Sequence, residues 1–121
     1  NINFDRDERG RTNCAFGLTT NKEGEILLVK LSNLYGDARE KWNLVGGRVD
    51  LNETFSDAIK RETFEESTII VEDVNEKIDE FYNTTNHIYI FKSLALKSQF
   101  GELTSPEIDE VGWFSKEQAL K

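Results

Sequence analysis

The chain has 121 residues, with 23 Asp and Glu against 15 Lys and Arg, for a formal net charge of −8. That balance excludes nucleic acid as a bulk electrostatic partner, because a phosphate backbone is bound through a basic face. Hydrophobic residues at 37%, with 8 Phe, 3 Tyr and 2 Trp, can still fill a core, and one domain is expected over residues 1–121.

In chain order, Asn1–Arg11 is polar and charged and reads as an edge strand or a loose terminus. Thr12–Thr19 reads as a strand, and Asn21-Lys22-Glu23-Gly24 as a turn. Glu25–Leu31 holds the apolar run Ile26-Leu27-Leu28-Val29, expected to be buried on both faces. Ser32–Lys41 reads as a polar loop, and Trp42–Val49 as a short extended segment broken by Gly46-Gly47. Thr54–Ile70 reads as a helix. Ile69–Val74 and Lys77–Asn83 then read as two strands, and His87–Leu96 as a longer one. Ser98–Asp109 is a loop containing the single Pro, Pro106. Glu110–Phe114 is a last strand, and Ser115 is a plausible N-cap for a helix over Ser115–Lys121. One internal helix in a mainly β chain predicts an α+β fold rather than repeated βαβ units. No stretch reaches the length of a membrane span, and the start of the chain does not read as a secretory leader. Cys14 is the single cysteine, so no internal disulfide can form, which suits a reducing compartment such as the cytoplasm.

The helix carries charge where its pattern should be apolar. Phe55, Ala58 and Ile59 share one face at 3.6 residues per turn. One turn on, the same face reaches Glu62 and Glu66, with Glu65 at its edge, before Ile69 and Ile70 return it to apolar. Carboxylates partly buried about 5 Å apart repel by about 3 kcal/mol per pair at an effective dielectric near 20. A divalent cation with a preference for oxygen ligands is the simplest way to neutralise them.

Gly47, Glu53, Arg61, Glu62, Glu65, Glu66 and Ile69 fit in register to G-x5-E-x7-R-E-U-x-E-E-x-G-U, where U is a bulky aliphatic. The stretch resembles the signature of the MutT-like Nudix hydrolases. Trp42-Asn43-Leu44-Val45-Gly46-Gly47 is similar to that family's W-x-L-P-G-G segment, with Val45 in place of Pro. Glu110-Val111-Gly112-Trp113-Phe114 is similar to its late E-V-x-W-F segment. Thr63 stands where a bulky aliphatic is usual and Thr68 where the late Gly is usual. Thr68 is expected to change the helix end, because a β-branched residue does not easily take the left-handed geometry that Gly allows.

The resemblance implies an α/β/α sandwich with a mixed sheet. It implies that Glu65, Glu66 and the Gly46 carbonyl hold Mg²⁺ or Mn²⁺. Glu62 would either ligate the metal or take a proton from attacking water. Glu53 would be an outer ligand or the group that orients Arg61, and Arg61 would fix a carboxylate through its rigid donor fork. A further acidic ligand is expected from the late loop. Glu102, Glu107 and Glu110 compete, and Glu107 is favoured because Ser105-Pro106 fixes the chain before it. His87, the single histidine, and Cys14 are given no catalytic role.

The function implied is metal-dependent hydrolysis of the pyrophosphate bond in a nucleoside diphosphate linked to another group. Its partner would be a small nucleotide, and the enzyme a monomer or homodimer. A nucleotide-binding sensor of the same fold is the alternative, from which the retained motif glutamates would distinguish an enzyme.

Overall fold

The computed structural model describes residues 3–32 and 41–120, so most of the loop expected at Ser32–Lys41 lies outside the described residues. Alternation of apolar and polar residues with period two sets the strands, and the 3.6-residue period sets the long helix. In order they are β1 (Thr12–Thr20), β2 (Ile26–Leu31), β3 (Trp42–Asn43), β4 (Val45–Arg48), α1 (Phe55–Ser67), β5 (Val71–Tyr82), β6 (Asn86–Ala95), β7 (Ile108–Phe114) and α2 (Lys116–Ala119).

The strands form one mixed sheet in the order β3-β2-β1-β6-β5, with β4 also paired to β1 and β7 to β2. β1 and β6 run parallel, from Thr12 opposite Asn86 to Thr20 opposite Leu94; the other pairs are antiparallel. Leu27, Leu28 and Val29 of β2 are all buried, as a run without alternation predicts. The core has two parts. Leu27, Val29, Val45, Ile69, Ala95 and Ile108 form one cluster. Ala15, Val49, Ala58 and Ile59 form the other, where α1 lies on the sheet, with Phe55, Val74 and Phe91 against it. Among the described residues no helix is long and apolar enough to cross a membrane.

Three readings of the sequence need correction. Residues read as two strands, 69–74 and 77–83, form the single strand β5, whose register against β6 shifts between Val74 and Lys77. The polar pair Asn75-Glu76 is thus absorbed as an irregularity, which lets a strand continue while it bends. The N-terminal segment is neither a full edge strand nor loose. It is tied by isolated bridges, Phe4 to Asp50 and Arg6 to Thr12. The helix stops at Ser67 rather than running to Ile70, and Thr68 takes the left-handed conformation itself, at φ 69°. Three bonds hold it there. Its N–H donates to the Phe64 carbonyl at 2.8 Å, its hydroxyl accepts from the Gly101 N–H at 2.6 Å, and the Ser67 hydroxyl accepts from the Ile69 N–H at 3.2 Å. The terminal helix is shorter than expected, but Ser115 caps it in a reciprocal capping box with Gln118.

Candidate functional site

The site is built on α1 and the glycine pair of β4. Thr54 caps the helix by accepting from the Asp57 N–H at 3.0 Å, which fixes the helix start and so the angular position of every later residue. Ala58, Ile59 and Thr63 are fully buried against the sheet. Glu66 follows on the same face and is only 8% exposed, Glu62 is half-buried, and Glu65 stands out toward solvent.

Glycine is required at Gly46 by backbone geometry, and at Gly47 it leaves room for a neighbouring side chain. Gly46 has φ 146°, and a Cβ there would meet the Ala15 carbonyl at 2.3 Å and Phe16 Cα at 2.6 Å. Its N–H donates to Glu66 Oε1 at 2.9 Å. At Gly47 a Cβ would lie 2.8 Å from Glu62 Oε2. The space left by the missing side chains is thus taken by the sheet partner and by the Glu62 carboxylate.

Arg61 gathers the acidic groups. Its Nε donates to Glu53 Oε2 at 2.8 Å and Nη2 to Glu53 Oε1 at 3.0 Å, a two-pronged contact. Nη1 donates to Glu62 at 2.7 Å and to Glu65 at 3.2 Å, and Nη2 also to the Arg48 carbonyl at 3.2 Å. Asp50 lies 3.6 Å away. Glu53 in turn accepts from the Asp50 N–H at 3.0 Å, which ties the turn before the helix to the guanidinium. Sequence reasoning missed Asp50 and the Arg48 carbonyl. A backbone acceptor carries no sequence signal, and Asp50 is one acid among many.

The electrostatics follow. The Arg61 hydrogen bonds hold the Glu53 carboxyl below its usual range. Glu53 likewise raises the guanidinium above its own usual value, against the effect of burial. Burial pushes Glu62 up, although Arg61 opposes it and the charges of Glu65 and Glu107 reinforce it. Burial pushes Glu66 furthest, up to about 8. The Gly46 N–H lowers it, and the charges of Glu62, Glu107 and Glu65 raise it again.

Glu62, Glu65 and Glu66 line a cleft of about 550 Å³ together with Glu102 and Glu107 of the late loop. Glu110 does not reach it. That side chain lies on β7 and accepts from Lys30 at 3.4 Å. The donor chemistry suits a hard divalent cation, since five carboxylates line the cleft and neither His nor Cys does so. As the side chains stand, no three His, Cys, Asp or Glu among the described residues form a shell that could hold an ion. Glu62 and Glu65 each give one oxygen to Arg61, and Glu66 gives one to the Gly46 N–H.

The remaining reactive side chains lie elsewhere. Cys14 is buried, and burial raises its thiol above the usual value. His87 is held between two carboxylates, Asp7 at 2.9 Å and Glu80 at 2.6 Å, and stacks on Tyr89 at 4.4 Å. Neither lines the carboxylate cleft.

Comparison with known proteins agrees with this architecture. A curated MutT-like protein of Streptomyces ambofaciens is 29% identical over 102 residues, 84% of this chain and 62% of that protein. The chain thus spans less than two thirds of that relative's length. The MutT protein of Methanosarcina mazei Go1 superimposes with a TM-score of 0.67 at 25% identity, covering 92% of this chain and 81% of that one. A NUDIX hydrolase of Nitrosomonas europaea shares the fold with a TM-score of 0.78 at 22% identity, covering 98% and 62%. The family model described as NUDIX domain matches residues 10–121, nearly the whole sequence and all of α1 with its glycine pair, and the chain therefore belongs to the NUDIX family.

Proposed function

We propose that the chain is a divalent-metal-dependent hydrolase that cuts the pyrophosphate bond of a nucleoside diphosphate linked to another group, with water as the attacking species. The observation that carries this reading is the buried Glu66 carboxyl, beside the Gly46 N–H and in one open cleft with Glu62, Glu65, Glu102 and Glu107. A protein gains nothing in stability from gathering carboxylates in this way, so the arrangement answers to a ligand. The names of the relatives, MutT-like and NUDIX hydrolase, support the same class.

Mg²⁺ or Mn²⁺ would be held by Glu65, Glu66, Glu107 and the Gly46 carbonyl, with Glu62 either a further ligand or the acceptor of a proton from attacking water. When bound, such an ion supplies charge neutralisation at phosphate oxygens and acidification of water. The chain's own contribution is positional. Arg61 keeps Glu53, Glu62 and Glu65 in one fan of donors. As a proton acceptor Glu62 is supported by burial, which raises its affinity for protons. Gly47 keeps the space beside Glu62 clear. Glu53 and Arg61 act by orientation rather than by touching substrate. The substrate is a small nucleotide, the compartment reducing, and the functional unit a monomer or homodimer.

The test is a hydrolysis screen with Mg²⁺ and Mn²⁺ across nucleoside triphosphates, nucleotide sugars, ADP-ribose and capped RNA ends, run in ¹⁸O-water. Solvent oxygen should appear in a phosphate product. Removing an outer-sphere partner typically lowers metal affinity or activity about 10–100-fold, so removing a ligand charge should do more. Glu65→Gln and Glu66→Gln are each expected to lower kcat at least about 100-fold, with the far-UV spectrum unchanged. Nucleotide binding without turnover in the unmodified protein would instead identify a sensor.

A further inference from the structure

Away from the carboxylate cleft, this acidic protein has a cavity of about 430 Å³ walled by Arg6, Arg9 and Arg48, with no Asp or Glu lining it among the described residues. Arg11 and Arg61 are paired with carboxylates, Arg11 with Asp7 at 3.4 Å. Arg6, Arg9 and Arg48 make no such pair among the described residues. Asp7 and Glu8, next to them in sequence, wall an adjoining cavity that shares Arg6 and Arg9. Asp7 is already engaged by Arg11, by His87 and by the Arg9 N–H at 2.9 Å.

Arg6 and Arg48 are held without being neutralised, and Arg9 is exposed beside them. Arg6 Nη1 donates to the Gly10 carbonyl at 3.0 Å and to the Thr12 hydroxyl at 3.2 Å. The Arg48 guanidinium lies over the Phe4 ring at 4.9 Å. Thr12, Thr85 and Asn86 add hydroxyl and amide groups to the walls. Oriented guanidinium forks beside neutral donors match the oxygens of a phosphate, and a site without its own carboxylates leaves that charge for a ligand.

The cavity and the cleft share no lining residue, but one strand links them. Gly47 packs against Glu62, while the next residue, Arg48, sends its side chain to the basic cavity and its carbonyl to Arg61. Among the described residues β4 pairs only with β1, and α1 side chains occupy its other edge, where the Gly46 N–H donates to Glu66 and the Arg48 carbonyl accepts from Arg61.

We propose that the Arg6, Arg9 and Arg48 cavity is a second anion subsite, taking a phosphorylated group of a small nucleotide substrate separate from the anhydride that is cut. The assignment rests on the hydrolase reading for the word substrate, but its central test needs no turnover. In EDTA, adenosine 3′,5′-bisphosphate should bind, measured by calorimetry at low salt, and AMP should bind more weakly. A hydrogen bond to a charged group is worth about 1.5–3 kcal/mol, so Arg48→Gln and Arg9→Gln should each weaken the bisphosphate about tenfold or more. Glu66→Gln, which strongly lowers turnover on the reading above, should keep this binding. Arg9 is exposed, so its variant keeps the test decisive if loss of the Phe4 contact unfolds Arg48→Gln. Equal binding by wild type and Arg9→Gln, or no bisphosphate binding in EDTA, overturns the subsite. Inorganic phosphate binding as tightly as the bisphosphate makes it a free-anion site and overturns the substrate assignment. A short single-stranded RNA binding tighter still, with the same arginine dependence, overturns the small-nucleotide class. If hydrolysis is absent while arginine-dependent binding is present, the hydrolase reading fails and the anion site stands.

Discussion

At the scale of single residues, Thr63 and Glu66 are neighbours on the buried face of α1 with opposite needs. The Thr63 hydroxyl is buried without a hydrogen-bond partner, and such a group costs about 1–3 kcal/mol. Thr63→Val keeps the shape and removes the unmet polarity. It should stabilise the fold by about 1 kcal/mol, read as a higher urea midpoint at unchanged slope. Glu66 shows its need through pH. Its folded-state pKa of about 8 lies above the ordinary carboxyl value of 4.5, so the folded protein keeps a proton that the unfolded chain releases. Stability from this group is therefore full below about pH 4.5 and is lost as pH rises through about 8. In EDTA, melting temperature should fall across that window, and Glu66→Gln should flatten the fall; an unchanged slope in the variant would assign the effect elsewhere. The special position of Glu66 was legible in the sequence, because a carboxylate in register with Ala58 and Ile59 faces inward whatever the fold. The orphaned Thr63 hydroxyl was not, since whether a buried hydroxyl finds a carbonyl depends on its rotamer.

At the scale of elements, α1 is a rod fixed at both ends by side-chain oxygens, Thr54 at its start and Thr68 just past its end. Left-handed backbone costs a residue with a Cβ about 1–2 kcal/mol, and Thr68 offsets this with the bond from Gly101. Thr68→Ala loses the bond and keeps the strain, whereas Thr68→Gly loses both. Glycine also has more freedom to lose on folding, which narrows the gap. Thr68→Gly should thus be more stable than Thr68→Ala by about 1 kcal/mol in denaturant titrations, and the reverse order would place the strain elsewhere. Sequence pattern located this helix well at its start, where Thr54 caps it, and overran it at its end. Only the fold brings Gly101, from a loop 33 positions away, to the Thr68 hydroxyl. The same holds for β5. A shift of register at Asn75-Glu76 depends on what β6 offers opposite, and a single strand read alone cannot show that.

For the whole molecule, the division of charge is the organising fact. Net charge is −8 with acid spread along the chain, yet five glutamates line one cleft beside α1 while three arginines wall a separate cavity. A cation entering the acidic cleft relieves repulsion present in the folded chain and mostly absent from the unfolded one. Millimolar Mg²⁺ or Mn²⁺ should therefore raise the melting temperature relative to EDTA. A stabilisation of about 2.7 kcal/mol is expected at a concentration one hundred times Kd. The shift should shrink in Glu66→Gln, and a metal effect of the same size in that variant would mean that the ion binds somewhere else. The acidic pole was readable because its residues share one helix. The basic pole joins the N-terminal segment, the end of β4 and the turn before β6, which only tertiary structure assembles.

The parallel pairing of β1 with β6 has a consequence in time. Residues 12–20 find their parallel neighbour only at residues 86–94, and β2 finds β7 only at residues 108–114. A nascent chain therefore presents the apolar Ile26-Leu27-Leu28-Val29 run long before β7, the partner that pairs along the whole of it, exists. Loop closures of this length are slow, and local helix formation does not shorten them. Refolding should be limited by the joining of β1 to β6 and of β2 to β7. Truncation before Ile108 should leave a chain that aggregates instead of folding, although α1 and its glutamates are all present.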